Sequence, residues 1–133
     1  MLDIDAFKSI NDTFGHLAGD TVIKDVADIL RSSVRVFDVC ARYGGEEFAV
    51  VMPGSGLESA TAIAERIRQR MHSYHSTDRA LTGLRVTVSI GVAESGPLGS
   101  VRDVIERADA ALYTAKRAGR DRVSTSSGPR ERG

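Results

Sequence analysis

Asp3 and Asp5 stand on either side of Ile4, and strand alternation turns both carboxylates to one face. Two acids on one face are costly unless a positive group joins them. Farther along, Gly44-Gly45 precede Glu46 and Glu47, so a second acidic pair sits on a tight turn whose glycines leave room for a phosphate or a metal to approach the backbone. A strand end carrying Asp beside a turn carrying Glu is an all-oxygen donor set suited to Mg²⁺, which takes one or two carboxylates and completes its shell with phosphates and water. For either pair alone the plain alternative is a solvated acidic turn. Phe7-Lys8 follows the first pair directly, in a turn where successive backbone N–H groups can form an anion-binding nest. Lys116 and Arg120 straddle the end of a late helical stretch, where they can reach a triphosphate or simply complement the helix dipole. Asn11 and Asp20 can together donate to and accept from a purine edge, or serve as a turn residue and a helix cap. Periodicity does not choose between these uses.

The elements that position these groups follow from hydropathic spacing. Met1 to Asp5 alternates apolar and acidic residues, as the carboxyl end of a strand does. From Thr21 to Val34, Val22, Ile23, Val26, Ile29 and Leu30 recur at helical spacing, with Asp20 at the cap position. Val36 to Tyr43 and Phe48 to Met52 are two β-type runs around Gly44-Gly45-Glu46-Glu47, which predicts a hairpin with the acids at its tip. After Pro53-Gly54, Leu57 to Met71 carries Ala60, Ile63, Ala64, Ile67 and Met71 on one helical face. Leu84 to Val92 alternates as a strand in which Gly91 allows close approach of a neighbour. Ser100 with Asp103 resembles a capping box, and Val101, Val104, Ile105, Ala108, Leu112 and Ala115 form a stripe that Gly119 ends. A brief strand near Arg122-Val123 closes one domain over residues 1–123. Residues 124–133, almost without apolar side chains, read as a disordered tail. The order strand, helix, hairpin, helix, strand, helix predicts an α/β sandwich, a mostly antiparallel sheet with helices packed around it.

A chain of 133 residues that is 41% hydrophobic suffices for one continuous core. Its 18 Lys and Arg balance 18 Asp and Glu, so no net field draws it to nucleic acid or to an anionic membrane, and a nucleotide partner would be a small molecule. The lone Cys40 reads as a buried thiol in a reducing compartment. No apolar run is long enough to cross a bilayer and the first residues lack the basic and apolar regions of a signal peptide, which leads to the expectation of a cytoplasmic protein.

The ordered motifs are specific enough to suggest a family. Asp3-Ile4-Asp5-Ala6-Phe7-Lys8, Asn11-Asp12, Gly15-His16, Gly19-Asp20, Arg42-Tyr43-Gly44-Gly45-Glu46-Glu47-Phe48, Val88-Ser89-Ile90-Gly91, and Ala108-Asp109 through Ala111-Leu112-Tyr113, Ala115-Lys116 and Gly119-Arg120 closely resemble the GGDEF domain family. Glu46 replaces the Asp of the family's name, a mild change. The resemblance lacks the helix and the Asp-x-Leu-Thr-Gly-Leu type turn that members normally carry before the acidic strand, so the domain reads as shortened at its amino end.

The resemblance implies a fold similar to nucleotidyl cyclases and polymerase palm domains, and a reaction that condenses two GTP into cyclic di-GMP and two pyrophosphates. It implies two divalent ions, Mg²⁺ or Mn²⁺, held by Asp3, the main-chain carbonyl of Ile4, and Glu46, with Glu47 assisting and Glu46 also accepting the hydroxyl proton. Guanine recognition then falls to Asn11 and Asp20. Phosphate binding falls to the backbone at Phe7-Lys8, to Gly45 and to Lys116 and Arg120, while His16 is structural or near the ligand. Arg35-Val36-Phe37-Asp38 matches an Arg-x-x-Asp inhibitory site for the product, with Arg66 as its second arginine. Turnover needs two GTP-loaded copies face to face, a homodimer. Two other readings compete: a module that binds GTP or cyclic di-GMP without turnover, and a fragment with no independent function. The intact hairpin acids favour the enzyme, and the missing start favours the others.

Overall fold

The computed structural model describes residues 1–126, and the remainder of the expected tail lies outside the described residues. Strand β1 (Leu2–Ile4) is followed by helices α1 (Phe7–Phe14) and α2 (His16–Ser33), the hairpin strands β2 (Val39–Arg42) and β3 (Glu47–Val51), and helix α3 (Leu57–His72). Strand β4 (Val88–Ala93), helix α4 (Val101–Arg117) and strand β5 (Arg122–Ser126) complete the order. The strands form one sheet in the order β2-β3-β1-β4-β5, antiparallel throughout except for β4 with β5. The α/β sandwich expected from the pattern is the observed architecture.

Strand alternation sorts the two faces. Leu2, Phe48, Val88, Ile90 and Val92 turn toward α2 and α3, where Val22, Val26, Leu30, Ala64, Ile67 and Met71 close the main core. The opposite face carries Asp3, Glu47, Ser89 and Gly91, and α4 lies across it. A methyl group on Gly91 would stand 2.1 Å from the carbonyl oxygen of Ala108 and 2.2 Å from the nitrogen of Leu112, so α4 rests directly on strand backbone. Ala108, Ala111, Leu112 and Ala115 are its buried residues, and small side chains permit that approach.

Several local expectations change. The stretch after Asp5, read as a turn, forms α1, which starts from Ala6 in the left-handed conformation (φ 53°) and stops at Gly15 (φ 90°). A helix this short carries too few turns for its period to stand out in the sequence. Asp20 is therefore no cap: α2 begins at His16, after Gly15, and Asp20 lies exposed within it. Val36 and Phe37 are exposed turn residues rather than strand, and β4 begins at Val88, although Val86 is buried. Half of the capping box forms: Ser100 Oγ accepts from the Asp103 amide, while the Asp103 carboxylate bonds Arg107 instead of reaching back. The α4 stripe is only partly covered, with Val101 76% exposed. Strand β5 continues through Ser126, past the expected limit at Val123, because parallel pairing with β4 runs on to Ala93↔Ser126.

Strand β1 is the shortest of the sheet, and β3 runs beyond its last partner, Phe48↔Leu2, to Val51. A largely apolar cavity of about 250 Å³ occupies the gap, lined by Met1, Val50, Met52, Ile90, Val92 and Ile105 among others.

The contact of α4 with Gly91 gives the first prediction. Gly91→Ala is expected to destabilise the fold by about 3 kcal/mol, since helix backbone rather than a flexible side-chain end must move. A denaturant titration with an unchanged midpoint would show that α4 does not seat there.

Candidate active site

Antiparallel pairing places the two acidic segments side by side. Asp3 is the cross-strand partner of Glu47 on one side and of Ser89 on the other, so the three side chains stand in line on the α4 face. The ladder alternates, and at Ile4 it turns the backbone polar groups toward the hairpin, where the Ile4 amide donates to the Glu46 carbonyl at 3.2 Å. Asp3, Ile4, Glu46 and Glu47, expected together from the sequence, are thus neighbours. The hairpin tip is held from within. The amides of Tyr43 and Gly44 donate to the Glu47 carbonyl, and Arg42 folds over to donate from Nε and Nη2 to the carbonyl of Gly45, at 3.2 and 2.7 Å. That bracing role of Arg42 is not visible in the sequence, where it reads as one more strand residue. Gly45 itself faces open space.

Charge at this corner is unevenly compensated. Asp3 is buried, and its carboxylate accepts a hydrogen bond from Lys116 Nζ, which α4 delivers across the sheet. Glu46 has no such partner. Burial first, and then the neighbouring charge of Asp3, push its carboxyl above the ordinary range, with Lys116 working in the opposite direction. A carboxyl held above its ordinary range beside a second carboxylate makes a place where a hard cation is favoured.

Among the described residues no three His, Cys, Asp or Glu side chains converge on one point. The donors that do adjoin are two carboxylates and the Ile4 backbone, and this set fits Mg²⁺, which binds few protein ligands and leaves positions for phosphate and water.

The remaining expected residues surround that corner. Phe7 and Lys8 open α1, so their amides belong to a helix first turn, with no intrahelical acceptors, rather than to a nest in a loop. Phe7 is buried and Lys8 exposed. Asn11 on α1 faces Gly19 on α2, and its Oδ1 is buried with no hydrogen-bond partner. Asp20, next along, lines a cleft of about 460 Å³ with Lys24, Arg42 and Phe48. An unpaired buried acceptor at Asn11 and a carboxylate at Asp20, one residue from the Gly19 that Asn11 faces, suit a ligand edge rich in N–H donors. Arg120 is exposed in a left-handed conformation (φ 64°), and its guanidinium makes no hydrogen bond or ion pair among the described residues. His16, exposed at the start of α2, touches none of these groups through a hydrogen bond.

Arg35, Asp38 and Arg66 lie elsewhere. Arg35 and Asp38 precede β2 at the end away from the hairpin tip, and four residues of strand separate the two places by about 13 Å. The Asp38 carboxylate, with none of its side chain exposed, accepts from the Arg35 amide at 2.8 Å and from its guanidinium at 3.3 Å. Arg35 also bonds Ser55 and lies 4.8 Å over the Phe37 ring. Arg66, from α3, donates to the Ser33 carbonyl at the end of α2. The three residues therefore flank one turn, but each arginine already has a partner.

The sheet presents oxygen donors at the end of its middle strand, and α4, laid across it, brings a lysine to them, in a mixed α/β domain of five strands. Residues 1–122 match the family described as diguanylate cyclase, GGDEF domain, and the chain belongs to that family. It is 47% identical over 127 residues to Diguanylate cyclase A of Treponema denticola, an alignment that covers 95% of this chain and 34% of that protein. It is also 47% identical to the response regulator PleD of Caulobacter vibrioides, covering 92% of this chain and 28% of PleD. Among solved structures, the GGDEF domain of DgcB from Caulobacter crescentus in complex with c-di-GMP superposes with a TM-score of 0.88 at 44% identity, covering 93% of this chain and 74% of that one. The active GGEEF domain of a diguanylate cyclase from Vibrio cholerae gives 0.85 at 37% identity, covering 93% and 78%. The chain spans about a third or less of the length of these curated relatives.

The electrostatics of the corner yield a signed prediction. Lys116→Met removes a cation and is expected to raise the Glu46 pKa further, whereas Asp3→Asn removes an anion and is expected to lower it. Divalent ions bind the ionised form, so Mn²⁺ affinity should climb as pH rises through the elevated Glu46 pKa and level off above it. Carboxyl-carbon NMR reads the first effect and a Mn²⁺ titration the second. A Glu46 pKa indifferent to both substitutions would show that it does not face the pair.

Proposed function

We propose that this chain is the catalytic part of a diguanylate cyclase, joining two GTP into cyclic di-GMP with release of two pyrophosphates. The observation that carries the reading is the Ile4 to Glu46 hydrogen bond, which ties the Asp3 strand end to the acidic hairpin in a chain of this family. Asp3, the Ile4 carbonyl, Glu46 and Glu47 would hold the ions, Mg²⁺ or Mn²⁺ and two per site. Such ions, when bound, neutralise charge on the attacking and leaving oxygens of an in-line displacement.

The chain's own residues do the rest. The first-turn amides at Phe7 and Lys8, the open backbone at Gly45, and the cations of Lys116 and Arg120 orient the triphosphate. Lys116, whose present acceptor is Asp3, is placed to exchange that carboxylate for phosphate oxygens when cations take over the acid. Asn11 and Asp20 read guanine, whose ring N–H and amino donors meet the orphan Oδ1 and the carboxylate, and adenine offers no such pair. Glu46, with its raised proton affinity, takes the proton from the 3′-hydroxyl that attacks the α-phosphate of the other GTP. Each copy supplies one GTP, so two copies meet face to face. No helix among the described residues is long and apolar enough to cross a membrane.

Arg35 and Asp38 provide a separate site for the product. A guanidinium that already stacks on Phe37 and shares a carboxylate can swing to fork a phosphate or stack on guanine, leaving Asp38 to accept from the guanine ring, with Arg66 as the second cation. Product bound there slows turnover without occupying the hairpin.

Two outcomes test this function. The purified protein should form cyclic di-GMP from GTP, and no cyclic dinucleotide from ATP, only with Mg²⁺ or Mn²⁺, and Glu46→Gln should reduce the rate at least about 100-fold while leaving the melting curve in place. Product formed in the presence of excess chelator sinks the metal-dependent mechanism, and GTP binding without turnover identifies a binding module instead. Separately, Arg35→Ala should weaken product inhibition about tenfold or more with the initial rate nearly unchanged, read from rates at rising cyclic di-GMP. Equal inhibition of the variant removes Arg35 from the product site.

A further inference from the structure

The Asp-x-Asp spacing at the end of β1 leaves one acid without a part in the chemistry above. Asp5 is 8% exposed and forms no ion pair among the described residues. Its carboxylate accepts three neutral hydrogen bonds, from Thr87 Oγ1 and Ser89 Oγ at 2.7 Å each and from the backbone amide of Asp121 at 3.0 Å. The third donor lies in the corner between α4 and β5, where Gly119, Arg120 and Asp121 all have positive φ, at 120°, 64° and 45°. Two consecutive residues with side chains in this region are strained and persist only where their surroundings hold them.

The corner is gripped from both sides. Inside, Asp5 takes the Asp121 amide. Outside, the Asp121 carboxylate accepts from Arg68 Nη1 and is paired with His72 Nδ1, both at 3.1 Å and both on α3, and Glu65 fixes Arg68 in turn. Arg120, with its unpaired guanidinium, sits at the apex of this clamped turn, and Lys116 stands just before it on α4.

We propose that Asp5 is a positioning residue, which, with Asp121 as its counterpart, holds the α4–β5 corner in its left-handed shape so that Arg120 faces the triphosphate. This rests on the cyclase reading for the identity of the ligand. One strand end then serves both halves of the site: Asp3 offers its carboxylate to cations, and two residues later Asp5 anchors the turn that carries the phosphate-binding arginine. A buried carboxylate suits this task because it accepts three donors at once, and an amide in its place cannot satisfy them all with one acceptor oxygen.

Asp5→Asn should weaken GTP binding about tenfold by calorimetry while guanosine binding stays within about twofold, since no residue of the α4–β5 corner lines the cleft at Asp20. The Asp121 amide should exchange its hydrogen at least about tenfold faster than in the wild type. Adding Arg120→Ala to Asp5→Asn should cost no further affinity, because the arginine is already misdirected. Arg68→Met, on the outer side of the clamp and away from the buried acid, should reproduce the pattern at about threefold and covers the case in which Asp5→Asn does not fold. Losses that multiply in the double variant, a parallel fall of guanosine and GTP binding, or an Asp121 amide with unchanged protection would each overturn the proposal. A wild-type chain that binds no GTP sinks the cyclase reading and the purpose of the clamp with it. Wild-type binding that ignores both clamp variants sinks only the clamp.

Discussion

The hydrogen-bonded ion pair between Lys116 and Asp3 joins residues 113 apart in sequence and closes the molecule across its middle strand. Asp3 lies buried on the central strand and, unlike Asp5, which neutral donors satisfy, it is compensated by a positive partner. Lys116 comes from the last turn of α4, so the helix must lie close and in register. That requirement explains the run of Ala108, Ala111 and Ala115 toward the sheet and the absence of a side chain at Gly91. The same geometry leaves Glu46 with no partner of its own, and burial first, then the neighbouring charge of Asp3, raises its proton affinity.

The two faces of the sheet divide the work. The α2 and α3 face holds most of the large apolar side chains and supplies most of the stabilisation from burial. The α4 face is thinner and more polar, with Asp3, Glu47 and Ser89 in line across adjacent strands. A site placed there can hold buried charge without breaking the main core. Helix α1 is the exception on position: short and placed directly after β1, it brings free first-turn amides to the same corner that receives the acidic hairpin.

The turn containing Arg35 and Asp38 shows how one hairpin can serve two places. Its tip carries Glu46 beside β1, and its far end begins at the covered Asp38 carboxylate. Four residues of strand hold these ends apart. Arg42, at the end of β2, binds the tip carbonyls and braces the turn from within the hairpin.

Much of this was legible in the amino-acid order because the signals are local. Alternation gave the end of β1, Gly44-Gly45 gave the hairpin, helical spacing gave α3 and most of α4, and the acids stood at strand ends where their chemistry is readable from type and spacing. Helix α1 is not legible because eight residues are too few to establish a period, and with it goes the start of α2, which takes Asp20 from the expected cap position into the helix. What only the tertiary structure decided are contacts between segments far apart in the chain: Lys116 on Asp3, Asp5 on the Asp121 amide, Arg68 on Asp121, and Arg35 on Ser55. Side-chain type announces that a charge needs a partner, but which partner it finds depends on sheet order and helix register, and those are set by packing of the whole chain.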